Sequence, residues 1–136
     1  MDNSIQIKNE IQQLTLLNEF ITQVIIENCI DPTIGIHLKL AIEEVVVNSI
    51  FYAYPEESGR DIFIRLNCEP EKLTVIITDY GIAFNPTDEK APNITLPLEQ
   101  RPVGGLGIFL TKKLMTTVAY HRDNDKNVLT LIKKLN

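Results

Sequence analysis

The sequence predicts an α+β fold, a two-layer sandwich in which helices cover one face of a mixed or antiparallel sheet. Three observations lead there. Tracts with the two-residue alternation of half-buried strands lie near the start, in the middle and at the end of the chain. A helical stripe and then a helix apolar nearly all round follow one another before Tyr54. The resulting order, β-α-α-β-β-loop-α-β-β, is that of a layered α+β domain.

Each element has its own signal. Ser4-Ile5-Gln6-Ile7-Lys8 alternates polar and apolar, and from Ile11 the pattern changes to Leu14, Leu17, Ile21, Val24 and Ile25, a helical stripe. Asp31-Pro32 supplies an N-cap and a first-turn proline for a second helix, from about Ile34 to Ala53. That helix is apolar nearly all round, which predicts packing on several sides. Tyr54-Pro55-Glu56-Glu57-Ser58-Gly59 ends it. Ile62–Leu66 and Leu73–Thr78 then read as a hairpin joined near Glu69-Pro70-Glu71-Lys72. Between Gly81 and Gly104 lie Pro86, Pro92, Pro97 and Pro102 with few periodic apolar positions, which predicts a long loop, often a lid in a domain this small. Leu106 to Met115 has helical spacing, and Thr117–His121 and Val128–Ile132 read as strands flanking a turn over Asp123–Asn127. No repeat or composition break divides residues 1–136, so one domain is expected.

At 136 residues, with 44% hydrophobic and 23% charged, the chain can bury a sizeable core. It has no tract near the roughly 20 apolar residues of a membrane span, and Met1-Asp2-Asn3-Ser4 lacks the basic start of a secretory signal, so a cytoplasmic protein is expected. A net charge of −5 argues against a general phosphate-backbone binder. Cys29 and Cys68 have neither a Cys-x-x-Cys partner nor a neighbouring His pair and read as reduced, structural residues in apolar or strand-like surroundings. The pairs Lys112-Lys113 and Lys133-Lys134 read as solvated charges.

Three places could carry chemistry. Glu44 and Asn48 stand four apart on the second helix, so a carboxylate and an amide share one face. That pair suits a surface ion pair with a loop cap, or a general base beside an oxygen ligand for a hard cation such as Mg²⁺. Asp79-Tyr80-Gly81 follows an apolar strand. It suits an ordinary strand-ending turn, or a carboxylate that accepts a hydrogen bond from an exocyclic amine such as that of adenine. Gly104-Gly105-Leu106-Gly107 opens a helix whose first N–H groups have no internal partner and favour an anion such as phosphate. The loop is not a Walker loop, a dinucleotide fingerprint or part of the protein-kinase motif set.

In this order, Glu44-Val45-Val46-Val47-Asn48, Asp79-Tyr80-Gly81-Ile82-Ala83-Phe84 and Gly104-Gly105-Leu106-Gly107 resemble the N, G1 and G2 boxes of the GHKL ATPases. Within that superfamily the chain is similar to the anti-sigma factor serine/threonine kinases. The resemblance covers roughly Leu16 to Leu135 and implies a Bergerat-type sandwich that holds ATP between the helical layer and a lid at Pro86–Val103. By position it implies Glu44 as catalytic base, Asn48 as Mg²⁺ ligand, Asp79 and Gly81 at the adenine, and Gly105 and Gly107 at the phosphates. It further implies phosphoryl transfer to a serine or threonine of an anti-anti-sigma protein, a second surface for a sigma factor, and a possible homodimer. A nucleotide-dependent switch without catalysis would use the same binding residues. The chain departs from the pattern at Tyr52, where many relatives carry histidine, at Lys126-Asn127 in place of Gly-Thr, and in a lid without Thr-Thr-Lys, where Arg101 is a candidate phosphate contact.

Overall fold

The structure is a computed structural model that describes residues 2–88 and 105–135. Five strands, β1 (Asp2–Lys8), β2 (Asp61–Cys68), β3 (Lys72–Asp79), β4 (Thr117–Asp123) and β5 (Lys126–Lys134), form one sheet in the order β1-β2-β3-β5-β4. All four pairings are antiparallel, which resolves the expectation of a mixed or antiparallel sheet. The helical layer comprises α1 (Leu14–Glu27), α2 (Pro32–Asn48) and α3 (Gly105–Leu114), with α2 packed between the other two. No helix among the described residues is long and apolar enough to cross a membrane.

The period-two alternation sorts the sheet into an inner and an outer face. Ile62, Ile64 and Leu66 of β2, Leu73, Val75 and Ile77 of β3, and Leu129 and Leu131 of β5 are buried. They join one core with Leu17, Ile21 and Val24 of α1 and Leu38, Ile42, Val45 and Val46 of α2. Each such side chain contributes about 1.5–3 kcal/mol on burial, so this single core supports the whole domain. Between them on the strands, Arg65 is exposed and Phe63, Ile76 and Thr78 are half-buried on the opposite face.

Local chemistry sets the course of α2. Asp31 caps it by accepting from Thr33 N at 2.9 Å and Ile34 N at 3.3 Å, and Pro32, which has no N–H to lose, starts the first turn. The helix then widens into a π turn over Ser49–Ala53, where Tyr54 N bonds back to Ser49 O at 3.2 Å. The expected all-round packing of α2 needs correction. Ile36, Leu40 and Phe51 are exposed, because a helix in the outer layer of a two-layer domain keeps a solvent side.

Three smaller expectations also change. The turn before β5 is only Asn124-Asp125, since Asp123 pairs with Lys126, and Asn127 therefore lies in the strand rather than the turn. Cys29 is exposed at a left-handed φ of 52° in the α1–α2 connection, while Cys68 is half-buried and burial pushes its thiol pKa up. Both cysteines are free thiols. Two of the lysines are engaged as well. Lys133 Nζ donates to Leu114 O at 2.7 Å, which satisfies a carbonyl at the end of α3, and Lys112 Nζ donates to Thr87 O at 2.6 Å.

Candidate nucleotide-binding site

The carboxyl end of β3 and the carboxyl half of α2 face each other across a cleft. Asn48 and Asp79 both line it, with Phe84, Pro86, Asn127 and Leu129. The structure thus brings together two residues 31 positions apart that the sequence marked independently. Asn48 is 3% and Asp79 4% exposed. Two buried polar side chains thus border one cleft, an arrangement suited to a polar ligand.

Asp79 is oriented by its neighbours. Its Oδ1 accepts from Gly81 N at 2.9 Å and from Asn127 Nδ2 at 2.8 Å. Both bonds end on the same oxygen, and the other faces no donor among these contacts. The pairing of β3 with β5 sets this arrangement, because Asp79 and Asn127 are register partners at the end of the ladder.

The loop after Asp79 is seated on the π turn of α2. Ile82 N donates to Ala53 O at 2.9 Å, and Tyr80 N donates to the Tyr54 hydroxyl at 2.6 Å. Tyr54 in turn donates to Asp61 O at 2.9 Å. Burial raises the Tyr54 pKa above its ordinary value, which keeps this hydroxyl protonated and able to act as both donor and acceptor. Tyr52, at the position where many GHKL relatives carry histidine, stacks on Phe84 with ring centroids 4.9 Å apart. An aromatic face contact therefore stands at this position.

Gly81 is required by space rather than by φ. A Cβ there would lie 2.2 Å from Ala53 O and 2.6 Å from Ala53 C, contacts with backbone that no rotamer change can relieve. Gly81→Ala is expected to push the loop off the π turn and to cost about 1–3 kcal/mol of stability, read as a lower Tm, with weakened nucleotide binding in the same protein. A Tm equal to that of the parent chain would show that the loop is not held there.

Glu44 lies one turn before Asn48 and is half-buried. Burial raises its pKa above the ordinary carboxylate value, and the neighbouring Glu43 charge raises it further. No ion pair holds Glu44 among the described residues, and its carboxylate stands one helical turn from Asn48. Gly105 and Gly107 lie in the first turn of α3, as the spacing predicts. Gly104, Arg101 and positions 89–103 of the expected lid lie outside the described residues. The described start of that segment, Pro86–Asp88, forms one 3-10 turn, in which Asn85 Oδ1 accepts from Thr87 N at 2.9 Å.

Tyr54, Tyr120 and Arg122 also hold the site, although no motif marks them: Tyr54 stands in the segment that ends a helix, and the two β4 residues lie outside all three boxes. Their roles depend on strand register, and that signal appears only once β4 and β5 are paired.

The fold and the cleft define a two-layer α+β domain with a polar ligand site between its central helix and the end of its sheet. The chain belongs to the histidine kinase-like ATPase domain family, which matches residues 7–133. It is 31% identical over 96 residues to the serine-protein kinase RsbW of Bacillus mycoides (strain KBAB4), covering 68% of this chain and 59% of that protein. The like-named proteins of Bacillus thuringiensis subsp. konkukian and Listeria innocua serovar 6a are 30% and 29% identical over 96 residues. These alignments cover 68% of this chain in both cases, and 59% and 61% of the two relatives. The chain thus spans about three fifths of the length of these relatives. The GHKL resemblance drawn from the three motifs is borne out at the level of the family.

Proposed function

We propose that residues 1–136 act as a single ATP-binding domain with protein serine/threonine kinase activity, transferring the ATP γ-phosphate to a serine or threonine of an anti-anti-sigma-type protein. The observation that carries this is the convergence of Asp79 and Asn48 on one cleft, with the half-buried Glu44 one helical turn away. The serine-protein kinase name of the relatives supports the reaction class. A sigma factor as second partner, a homodimer and a cytoplasmic location follow the same resemblance.

In this reading Asp79 and Gly81 form the base end of the cleft, and Gly105 and Gly107 receive phosphates on the unpaired amides that open α3. The donor set fits Mg²⁺. Mg²⁺ is a hard cation that keeps several waters and, beside substrate phosphates, takes only one or two protein oxygens. Asn48, buried on the cleft, would supply that oxygen. When bound, the ion neutralises charge on the phosphates. Glu44 takes the proton of the acceptor hydroxyl as its oxygen bonds to the γ-phosphorus and the bond to the β-phosphate oxygen breaks, releasing ADP.

Calorimetric titration with Mg-ATP, followed by transfer assays with γ-labelled ATP and an anti-anti-sigma-type acceptor, tests the proposal. Binding with a Kd in the micromolar range and label on an acceptor hydroxyl are expected. Binding without transfer would replace the kinase by a nucleotide-dependent switch, and no binding would remove both readings.

A further inference from the structure

Asn127 makes more side-chain hydrogen bonds than any other described residue around the cleft, and it is only 6% exposed. Its Nδ2 donates to Asp79 Oδ1 and to Ile82 O, each at 2.8 Å. Its Oδ1 accepts from the Tyr120 hydroxyl at 2.6 Å, from Arg122 Nη1 at 3.1 Å and from Phe84 N at 3.3 Å. Arg122 Nη1 also donates to Gly81 O at 2.9 Å. One carboxamide therefore ties together the end of β3, the following loop and strand β4. Both ends of the amide are in use, so its orientation cannot reverse without opposing donor to donor and acceptor to acceptor.

We propose that Asn127 is the positioning residue that sets base selectivity: held by Tyr120 and Arg122, it locks Asp79 so that the cleft accepts an amine-bearing purine and rejects a carbonyl-bearing one. This rests on the reading of Asp79 as the base contact. Asn127 occupies Asp79 Oδ1 together with Gly81 N, which leaves Oδ2 as the oxygen that meets the base. A carboxylate oxygen attracts the exocyclic amine of adenine and repels the carbonyl that guanine carries at the same ring position. With Asp79 free to rotate, the donors that hold Oδ1 would be lost and the discrimination with them.

Calorimetric binding of Mg-ATP and Mg-GTP to the whole chain tests this, with Asn127→Ala, Asn127→Asp and Tyr120→Phe. Asn127→Ala is expected to lose about tenfold in ATP affinity with little change for GTP, so the selectivity ratio falls about tenfold. Asn127→Asp, nearly the same size, is expected to lose more than Asn127→Ala, because it turns an acceptor toward Asp79 Oδ1 and Ile82 O. A merely space-filling side chain would give the reverse order. Tyr120→Phe removes one anchor of the amide and is expected to lower the ratio about threefold. If Asn127→Ala does not fold, the other two variants decide.

Asn127→Asp binding ATP like the parent, with an unchanged ATP-to-GTP ratio in Tyr120→Phe, overturns the proposal. If the parent chain binds no ATP, the nucleotide reading itself fails. If it binds ATP, Asp79→Asn abolishes binding and the Asn127 and Tyr120 variants leave selectivity unchanged, only the clamp fails.

Discussion

Asp79→Asn is expected to weaken adenine-nucleotide binding by about a hundredfold. The two atoms that replace the carboxylate oxygens cannot both be satisfied. Gly81 N and Asn127 Nδ2 require an acceptor at the Oδ1 position, so the new NH₂ must occupy the other site and point at the incoming base amine. The alternative rotamer turns the NH₂ onto those two donors instead. Either orientation places donor against donor, and the charged acceptor is lost as well. Calorimetry with Mg-ATP reads the affinity, and circular dichroism confirms that the variant is folded. An affinity within threefold of the parent would remove Asp79 from the site.

Glu44→Gln should act on catalysis and leave binding nearly untouched. Loss of a general base is expected to lower phosphoryl transfer by about 10²–10⁴-fold at an unchanged Kd for ATP. The pH dependence follows from the raised pKa. The basic form of Glu44 accumulates as pH rises through a value above the ordinary carboxylate range, so transfer by the parent should climb with pH over that interval. Glu43→Gln removes the neighbouring charge that helps to raise the pKa and should move this limb to lower pH.

The stability consequence has the opposite sign to activity. With its pKa raised on folding, Glu44 binds its proton more tightly in the native than in the unfolded state. The stability it lends is fully present below the unfolded pKa and is lost as pH rises through the folded one. At neutral pH the ionised side chain is therefore a burden, and Glu44→Gln should raise Tm slightly while it lowers turnover. A Tm that falls together with transfer would mark Glu44 as structural.

Much of the architecture was legible because it depends on local rules. The alternation in β2 and β3, the stripe on α1 and the Asp31-Pro32 start of α2 follow from periodicity and capping, and each element stands within a few residues of its expected place. The site was legible in parts. Glu44 and Asn48 share a helix face by spacing alone, and glycines at 105 and 107 mark the start of α3. The outward faces of Ile36 and Leu40 were not legible, since burial depends on which layer a helix joins. Asn127 was legible as a hydrogen bonder in the place of the relatives' threonine, but its bond to Asp79 was not, because a turn predicted over Asp123–Asn127 keeps it out of the strand.

Element types, the order of the three motifs and the residue chemistry available at each are written in the chain, since these rest on interactions within a few positions. Folding is what brings Asp79 and Asn48 to the same cleft and leaves no room for a side chain at Gly81 against Ala53. It also makes Asn127 hold Asp79 in one orientation. The physical reason is register. Which side chains meet across the β3–β5 ladder, and which carbonyl the π turn of α2 offers to the loop, depend on contacts between segments far apart in the chain, 48 residues in the case of Asp79 and Asn127.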